Sequence, residues 1–381
     1  MGALTPRERV RRALSFQEPD RVPTDVGTSA ATGITLGAYE QLKQYLKMPD
    51  ATGSVNHLMF QTVTADHRVL ERLGVDFRPV YYRPPAENKG IWGPDDTFVT
   101  EWGFTVKRPE GGLYYDIIKS PLLEAEIEDL DRYPWPDPHD PGRIAGVAKE
   151  AKELYEQTDY AIFGPGMEGG FFELSWYLRG IERFFMDLIE NKEFVHALFR
   201  KLLDYRKALL GRYLDAAGKY LDVVYYGDDI AMQTGPLMSL GLYRELVKPY
   251  QKELFSFIKE KTEAKLFYHT CGSVVKYLDD LIEIGVDIIN PVQVSAKDMD
   301  TARLKQSYGH RLVFWGGIDT QHVLPFGTEE EVEEEVKRRI KDLAPGGGYV
   351  LGPVHNVQPD VPPQNLVRVF QAASQYGVYH R

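Results

Sequence analysis

Eight short runs rich in β-branched and aromatic residues, several of them separated by stretches long enough for an amphipathic helix, restrict the fold of this chain more than any other feature. They are Val22 to Gly27, Asp76 to Tyr82, Tyr160 to Gly166, Leu221 to Gly227, Ala264 to His269, Val286 to Pro291, Arg311 to Gly317 and Gly348 to Pro353. Spacers such as 243–261, 274–284 and 328–343 each suffice for one crossover helix. Strands joined this way pair in parallel, because a parallel neighbour is reached only across a long connection. Eight such units predict an α/β fold, a (β/α)8 TIM barrel spanning residues 1–381 as one domain.

Two segments break the alternation. Residues 91–121 hold Trp92, Phe98, Trp102, Phe104, Tyr114 and Tyr115 among glycine-rich turns, which predicts a β-hairpin insertion after the second strand, placed to roof the barrel mouth. Residues 133–141 contain Pro134, Pro136, Pro138 and Pro141, so this connector is not helical and reads as a rigid surface crossing. Gly346, Gly347 and Gly348 precede the last strand and read as a tight turn, not a phosphate loop. The run Glu329 to Arg339 is acidic and then basic, the order that suits a helix dipole on a solvated face.

The balance of charges excludes several functions. With a formal charge of −11 and no basic run, the 381-residue chain lacks the surface that phosphate contacts require, so no nucleic-acid partner is expected. No run of about 18 apolar residues offers a membrane span. The charged N-terminal stretch is unlike a signal peptide, and a single cysteine forms no internal disulfide. A cytoplasmic protein acting on a small molecule is therefore expected. An aromatic content of 12% leaves room for a homodimer interface.

Catalytic groups of a barrel sit just past the C-terminal ends of its strands. Asp25, Arg83, Glu168, the pair Asp228 and Asp229, His269 with Cys271, Gln293, Asp319, and His355 with Asn356 all fall there. A His-x-Cys pair at a strand end points both side chains to one side, where they can share a soft metal such as Zn2+. The same pair is also what a buried free cysteine beside a loop histidine looks like. His355, leaning across the mouth from the last strand, raises the metal reading: two nitrogens and one thiolate leave a fourth tetrahedral position open, as in catalytic zinc sites, with Glu168 a candidate for it. Asp228 and Asp229 invite an acid/base reading. Adjacent residues at a strand end point opposite ways, so one of the two is expected to cap a helix or bind a backbone amide.

The order of several short motifs resembles the uroporphyrinogen decarboxylase superfamily, in the branch near the corrinoid-dependent methyltransferases of the methylcobamide:coenzyme M type. These are Pro19-Asp20-Arg21-Val22-Pro23, Gly227-Asp228-Asp229-Ile230, Gly235-Pro236-Leu237-Met238-Ser239, Tyr243-Arg244-Glu245 with Lys248-Pro249, and His269-Thr270-Cys271-Gly272-Ser273. Asn290-Pro291-Val292-Gln293, Trp315-Gly316-Gly317-Ile318-Asp319 and Gly346 to Pro353 complete the series. The resemblance implies a (β/α)8 barrel whose zinc is held by a His-x-Cys pair and a later cysteine, and a methylcorrinoid carried by a separate partner protein. His269 and Cys271 match the pair. Where that branch has Pro-x-Cys, this chain has Pro353-Val354-His355, which implies a His2Cys shell and a less electron-rich bound thiolate. Asp228, Asp229 and Glu168 would then serve the chemistry, and Asp25, Arg83, Gln293, Asp319 and Asn356 would contact substrate.

The decarboxylase branch of the same family carries an arginine-rich segment after the first strand, which the many substrate carboxylates require. Residues 25–34 here contain no arginine. Tetrapyrrole decarboxylation, with Asp25 or Asp228 stabilising a protonated pyrrole, is thus the second expectation. A non-catalytic barrel that binds a corrinoid or another ligand is the third.

Overall fold

The computed structural model describes residues 4–87, 89–164 and 169–379, so Glu168 lies outside the described residues. Seven parallel strands form the central sheet: β1 (Phe77–Pro79), β2 (Ala161–Gly164), β3 (Val223–Gly227), β4 (Lys265–His269), β5 (Ile288–Asn290), β6 (Val313–Ile318) and β7 (Tyr349–Pro353). They are hydrogen-bonded in the order β7-β6-β5-β4-β3-β2-β1, each pair parallel. Every residue of β2, β5, β6 and β7 is buried. Crossover helices cover the outer face while side chains fill the inner one, which is why these strands read as unbroken apolar runs.

The expected first strand is not a regular strand. Residues 22–26 run between the two edges of the sheet, where Asp25 N–H donates to the Leu351 carbonyl (2.9 Å) and Asp76 N–H donates to the Thr24 carbonyl (3.0 Å). Two chemical facts interrupt the ladder there. Pro23 has no N–H to give, and the Thr24 amide donates instead to the Asp76 carboxylate at 2.9 Å. The segment still lies where the eighth stave belongs and links β7 to β1.

Aromatic rings plug the barrel. Trp315 of β6 lies 4.6 Å from Phe77, 5.1 Å from Phe267 and 5.8 Å from Phe163, ring centre to ring centre. Phe163, Phe267 and Trp315 come from the alternate strands β2, β4 and β6, with Phe77 beside them on β1, and the next level up holds Tyr225 and His269, stacked at 6.2 Å. Strand periodicity sets this: in β4, Phe267 and His269 point inward while Leu266 and Tyr268 point out. At the closed end, Gly346, Gly347 and Gly348 have φ of 77°, 76° and 70°, a left-handed turn that side-chain-bearing residues resist.

In place of a single hairpin, residues 91–119 form a four-stranded antiparallel meander (Ile91–Trp92, Thr97–Val99, Thr105–Lys107, Asp116–Lys119). The segment carries three turn signals, at Gly93-Pro94, Gly103 and Gly111-Gly112, where one hairpin needs one. A second antiparallel pair, Gly53–His57 with Thr62–Ala65, has no counterpart in the sequence reading. The two meet over the mouth, where Tyr115 N–H donates to the Met59 carbonyl (3.1 Å) and Phe60 packs edge-on to Tyr114 at 5.4 Å.

Candidate metal centre

Strands β4 and β7 deliver three ligand atoms to one point. Those of His269, Cys271 and His355 all lie within 4.8 Å of one another, and the His269 and His355 rings are 5.4 Å apart. Nitrogen and sulfur ligands at ~2.1 and ~2.3 Å from one ion, at a tetrahedral angle, stand about 3.6 Å apart. Cys271 Sγ and His269 Nε2 are 3.5 Å apart. The residues present fit a zinc ion.

The neighbours hold the donors in their binding forms. Asn290 Oδ1 lies 2.6 Å from His269 Nδ1, and the Asn290 amide nitrogen donates to the Trp315 carbonyl at 3.3 Å. That second bond settles which end of the amide faces the imidazole, so Nδ1 carries the proton and Nε2 turns its lone pair to the centre. Burial, and then the nearby His269, push His355 down to about 4, which leaves a neutral imidazole at pH 7. Burial, and then the Asp229 and Glu173 carboxyls, push the Cys271 thiol well up. A thiol of this kind binds a metal ion only by giving up its proton as the ion arrives, so uptake of a metal here would release a proton. Replacing Asn290 with alanine is expected to cost about 10- to 100-fold in zinc affinity, measured by competition with a chelator, because the imidazole loses its orienting acceptor.

Of the remaining predicted residues that the structure describes, only Asp229 stands at the centre. Its Oδ1 lies 4.0 Å from His269 Nε2 and accepts the Cys271 N–H at 2.8 Å. Asp228 points the other way and is fully buried, accepting from the Phe172 and Glu173 amides (3.3 and 2.9 Å), the Tyr226 hydroxyl (2.8 Å) and Gln251 (3.2 Å). It thus anchors the N-terminus of helix Phe171–Arg179, where backbone amides and the helix dipole favour an anion. Arg83 is turned to Glu150 on helix Val147–Gln157. Gln293 accepts the Gly272 N–H at 2.6 Å and so shapes the loop after β4. Asp319 caps its own turn through the amides of Gln321 and His322. Asn356 accepts from the Tyr114 hydroxyl at 2.7 Å, which ties the meander to the barrel.

Asp25 is fully buried, receiving the Thr28 hydroxyl (2.7 Å) and the Trp315 indole N–H (3.1 Å). Burial outweighs these bonds and pushes its carboxyl up to about 6. Its proton is therefore retained in the fold at pH values where an unfolded aspartate has lost it. Stability from this residue is full below about pH 4 and is lost as pH rises through about 6, a drop of about 3 kcal/mol. Asp25→Asn keeps both hydrogen bonds by turning the threonine hydroxyl. It is expected to raise the urea midpoint at pH 7.5 and to leave it nearly unchanged at pH 4.

The sequence reading missed Glu173, Tyr225, Asn290 and Phe60. Glu173 sits in the first turn of its helix and receives the Tyr177 hydroxyl. Burial first, then Asp229, pushes its carboxyl up to about 8. Gly169-Gly170 just before it was a helix-start signal that would have placed it near the mouth. Phe60 stands 6.3 Å from His355, on a hairpin no strand pattern announced.

The chain is 25% identical over 380 residues to the Methylcobamide:CoM methyltransferase MtbA of Methanosarcina mazei, covering 99% of each protein. It is 22% identical over 261 residues to the uroporphyrinogen decarboxylase of Alkalilimnicola ehrlichii, covering 66% of this chain and 67% of that one. A solved methyltransferase from Methanosarcina mazei shares the fold with a TM-score of 0.62 at 20% identity, over 98% of this chain and 99% of that one. Residues 99–376 match the family model for uroporphyrinogen decarboxylase (URO-D), and the chain belongs to that family.

Proposed function

We propose that this protein is a zinc-dependent methyltransferase or demethylase acting with a corrinoid protein, its metal held by His269, Cys271 and His355. The observation that carries the reading is the convergence of these three donors within 4.8 Å at the mouth of the barrel. The full-length similarity to a methylcobamide-dependent methyltransferase supports it. When bound, zinc supplies a Lewis acid that lowers the pKa of a thiol or other heteroatom. The chain's own residues do the rest. Asn290 orients His269, the Cys271 amide holds Asp229 at the rim where it takes a released proton, and Tyr225 and Phe60 wall the centre from water. Exposed Ile91, Trp92 and Ile118 on the meander offer an apolar surface for the corrinoid partner.

Tetrapyrrole decarboxylation, the activity named for other relatives, has less support. Arg83 is committed to Glu150, Asp228 is saturated by four donors, and residues 25–34 hold no arginine. Zinc-reconstituted protein is expected to hold about one metal ion and to demethylate methylcob(III)alamin in the presence of a thiol, read by the absorbance change of the corrinoid. Retention of less than about 0.2 equivalents of zinc would overturn the reading. Release of CO2 from uroporphyrinogen would establish the alternative.

A further inference from the structure

Helix Ile181–Glu190 has two apolar faces where a surface helix needs one. Phe184 and Leu188 are buried on the core side, and Asp187 between them is held by Arg179 (2.7 Å) and Arg183 (3.1 Å). The outer face carries Ile181, Phe185 and Ile189, each one turn from the next, with Met186 beside them. Ile181 is 58% exposed, Met186 49% and Ile189 64%, while Phe185 is half-buried. The patch does not end at the helix. Trp176 stacks on Phe185 at 6.2 Å, and the half-exposed Leu123 packs against the Gly180 turn that opens the helix. Monomers rarely leave a contiguous group of large apolar side chains in water.

The charges at the edge of this patch fit one occupant. Arg183 and Glu190 are seven residues apart, so they stand two turns from each other on the same side of the stripe. Arg183 reaches Asp187 through its Nε and is 43% exposed, and among the described residues the exposed Glu190 forms no ion pair. Glu190 also ends its helix, where the dipole disfavours an anion, and no basic residue lies in that last turn. At the other end, the N-cap Gly180 offers the first amides no side chain. A second copy of the helix laid antiparallel answers both ends. Each Glu190 then comes opposite the Arg183 and the N-terminal turn of the other copy, so the surface is complementary to itself, as a two-fold interface requires. An anionic lipid surface is a poor fit, because Glu182 and Glu190 flank the patch and only Arg183 opposes them on the outer face.

We propose that the chain forms a two-fold symmetric dimer in which helix Ile181–Glu190 packs antiparallel on its copy. Ile181, Phe185, Met186 and Ile189 of each copy fill the seam, and Arg183 meets Glu190 across it.

Sedimentation velocity of the full chain at about 0.1 to 50 μM tests this. The wild type is expected to run as a dimer at the upper concentrations. Ile189→Glu is expected to weaken dimerisation at least about 100-fold, since each dimer carries the change twice, and to leave the urea midpoint of the fold unchanged. Ile181→Glu, at the other end of the helix, repeats the test should that midpoint fall. Glu190→Lys sets like charges against Arg183 and is expected to weaken the dimer about tenfold, and adding Arg183→Glu to it should restore most of the loss. General damage to the surface would give no such restoration. A chain that is monomeric throughout, or a dimer indifferent to both isoleucine variants, overturns the proposal. So does a dimer that these variants break but the exchanged charges leave unaltered. A monomer in which Ile189→Glu alters only the affinity for a corrinoid protein overturns it too, by giving the patch to a different partner.

Discussion

Replacing Cys271 with alanine is expected to leave a folded barrel that no longer retains zinc through dialysis and has no methyl-transfer activity. Losing an orienting group around a metal-bound histidine costs about 10- to 100-fold in affinity, and losing the only thiolate of the shell should exceed the upper figure. The packing cost is small, since the side chain is short and half-buried at the mouth. The two outcomes separate by melting temperature. A ligand that binds only the native state stabilises it, so with zinc at 100 times its dissociation constant the wild type is expected to gain about 2.7 kcal/mol and the variant nothing at the same concentration. A zinc-dependent shift retained in Cys271→Ala would place the metal elsewhere.

Gly170→Ala is expected to destabilise the protein by at least about 3 kcal/mol and to disable the site with it. The backbone is not the reason, because Gly170 has φ of −85°, which alanine adopts freely. A Cβ there would stand 1.9 Å from Asp228 Cγ and 2.2 Å from its Cβ. Asp228 has nowhere to go, since its two oxygens are bound by four donors. Either helix Phe171–Arg179 moves off β3 or the carboxylate leaves the helix amides unsatisfied. Both shift Glu173 and Asp229, which flank that anchor. Urea denaturation and zinc retention, measured together, check the expectation. A near-neutral result would mean that Asp228 is not the anchor described.

His269 and Cys271 were legible because their geometry is local. Two residues apart at the end of an inward-facing strand, they reach one side of the chain whatever the rest of the fold does. His355 needed only the closure of the barrel to be brought near them. What the sequence left open or missed shares one cause. Which of Asp228 and Asp229 faces the centre depends on a helix N-terminus that packs from a different unit of the barrel, and strand periodicity alone does not say which comes first. Arg83, Asp319 and Asn356 follow strands as catalytic residues do, yet each is taken by a partner distant in sequence or by its own turn. Residues 22–26 have a strand's composition, but Pro23 and the Asp76 carboxylate deny them the ladder.

The barrel and the His269–Cys271 pair follow from local pattern, since alternation of apolar runs and two-residue spacing are properties of consecutive residues. The groups around that pair come from long-range packing. Asn290 on His269, the inward turn of Asp229 and the aromatic cover of Phe60 and Tyr114 are contacts between segments far apart in the chain. Long-range packing assigns each polar group its partner, and a strand's own pattern carries no record of which group is left to meet a ligand.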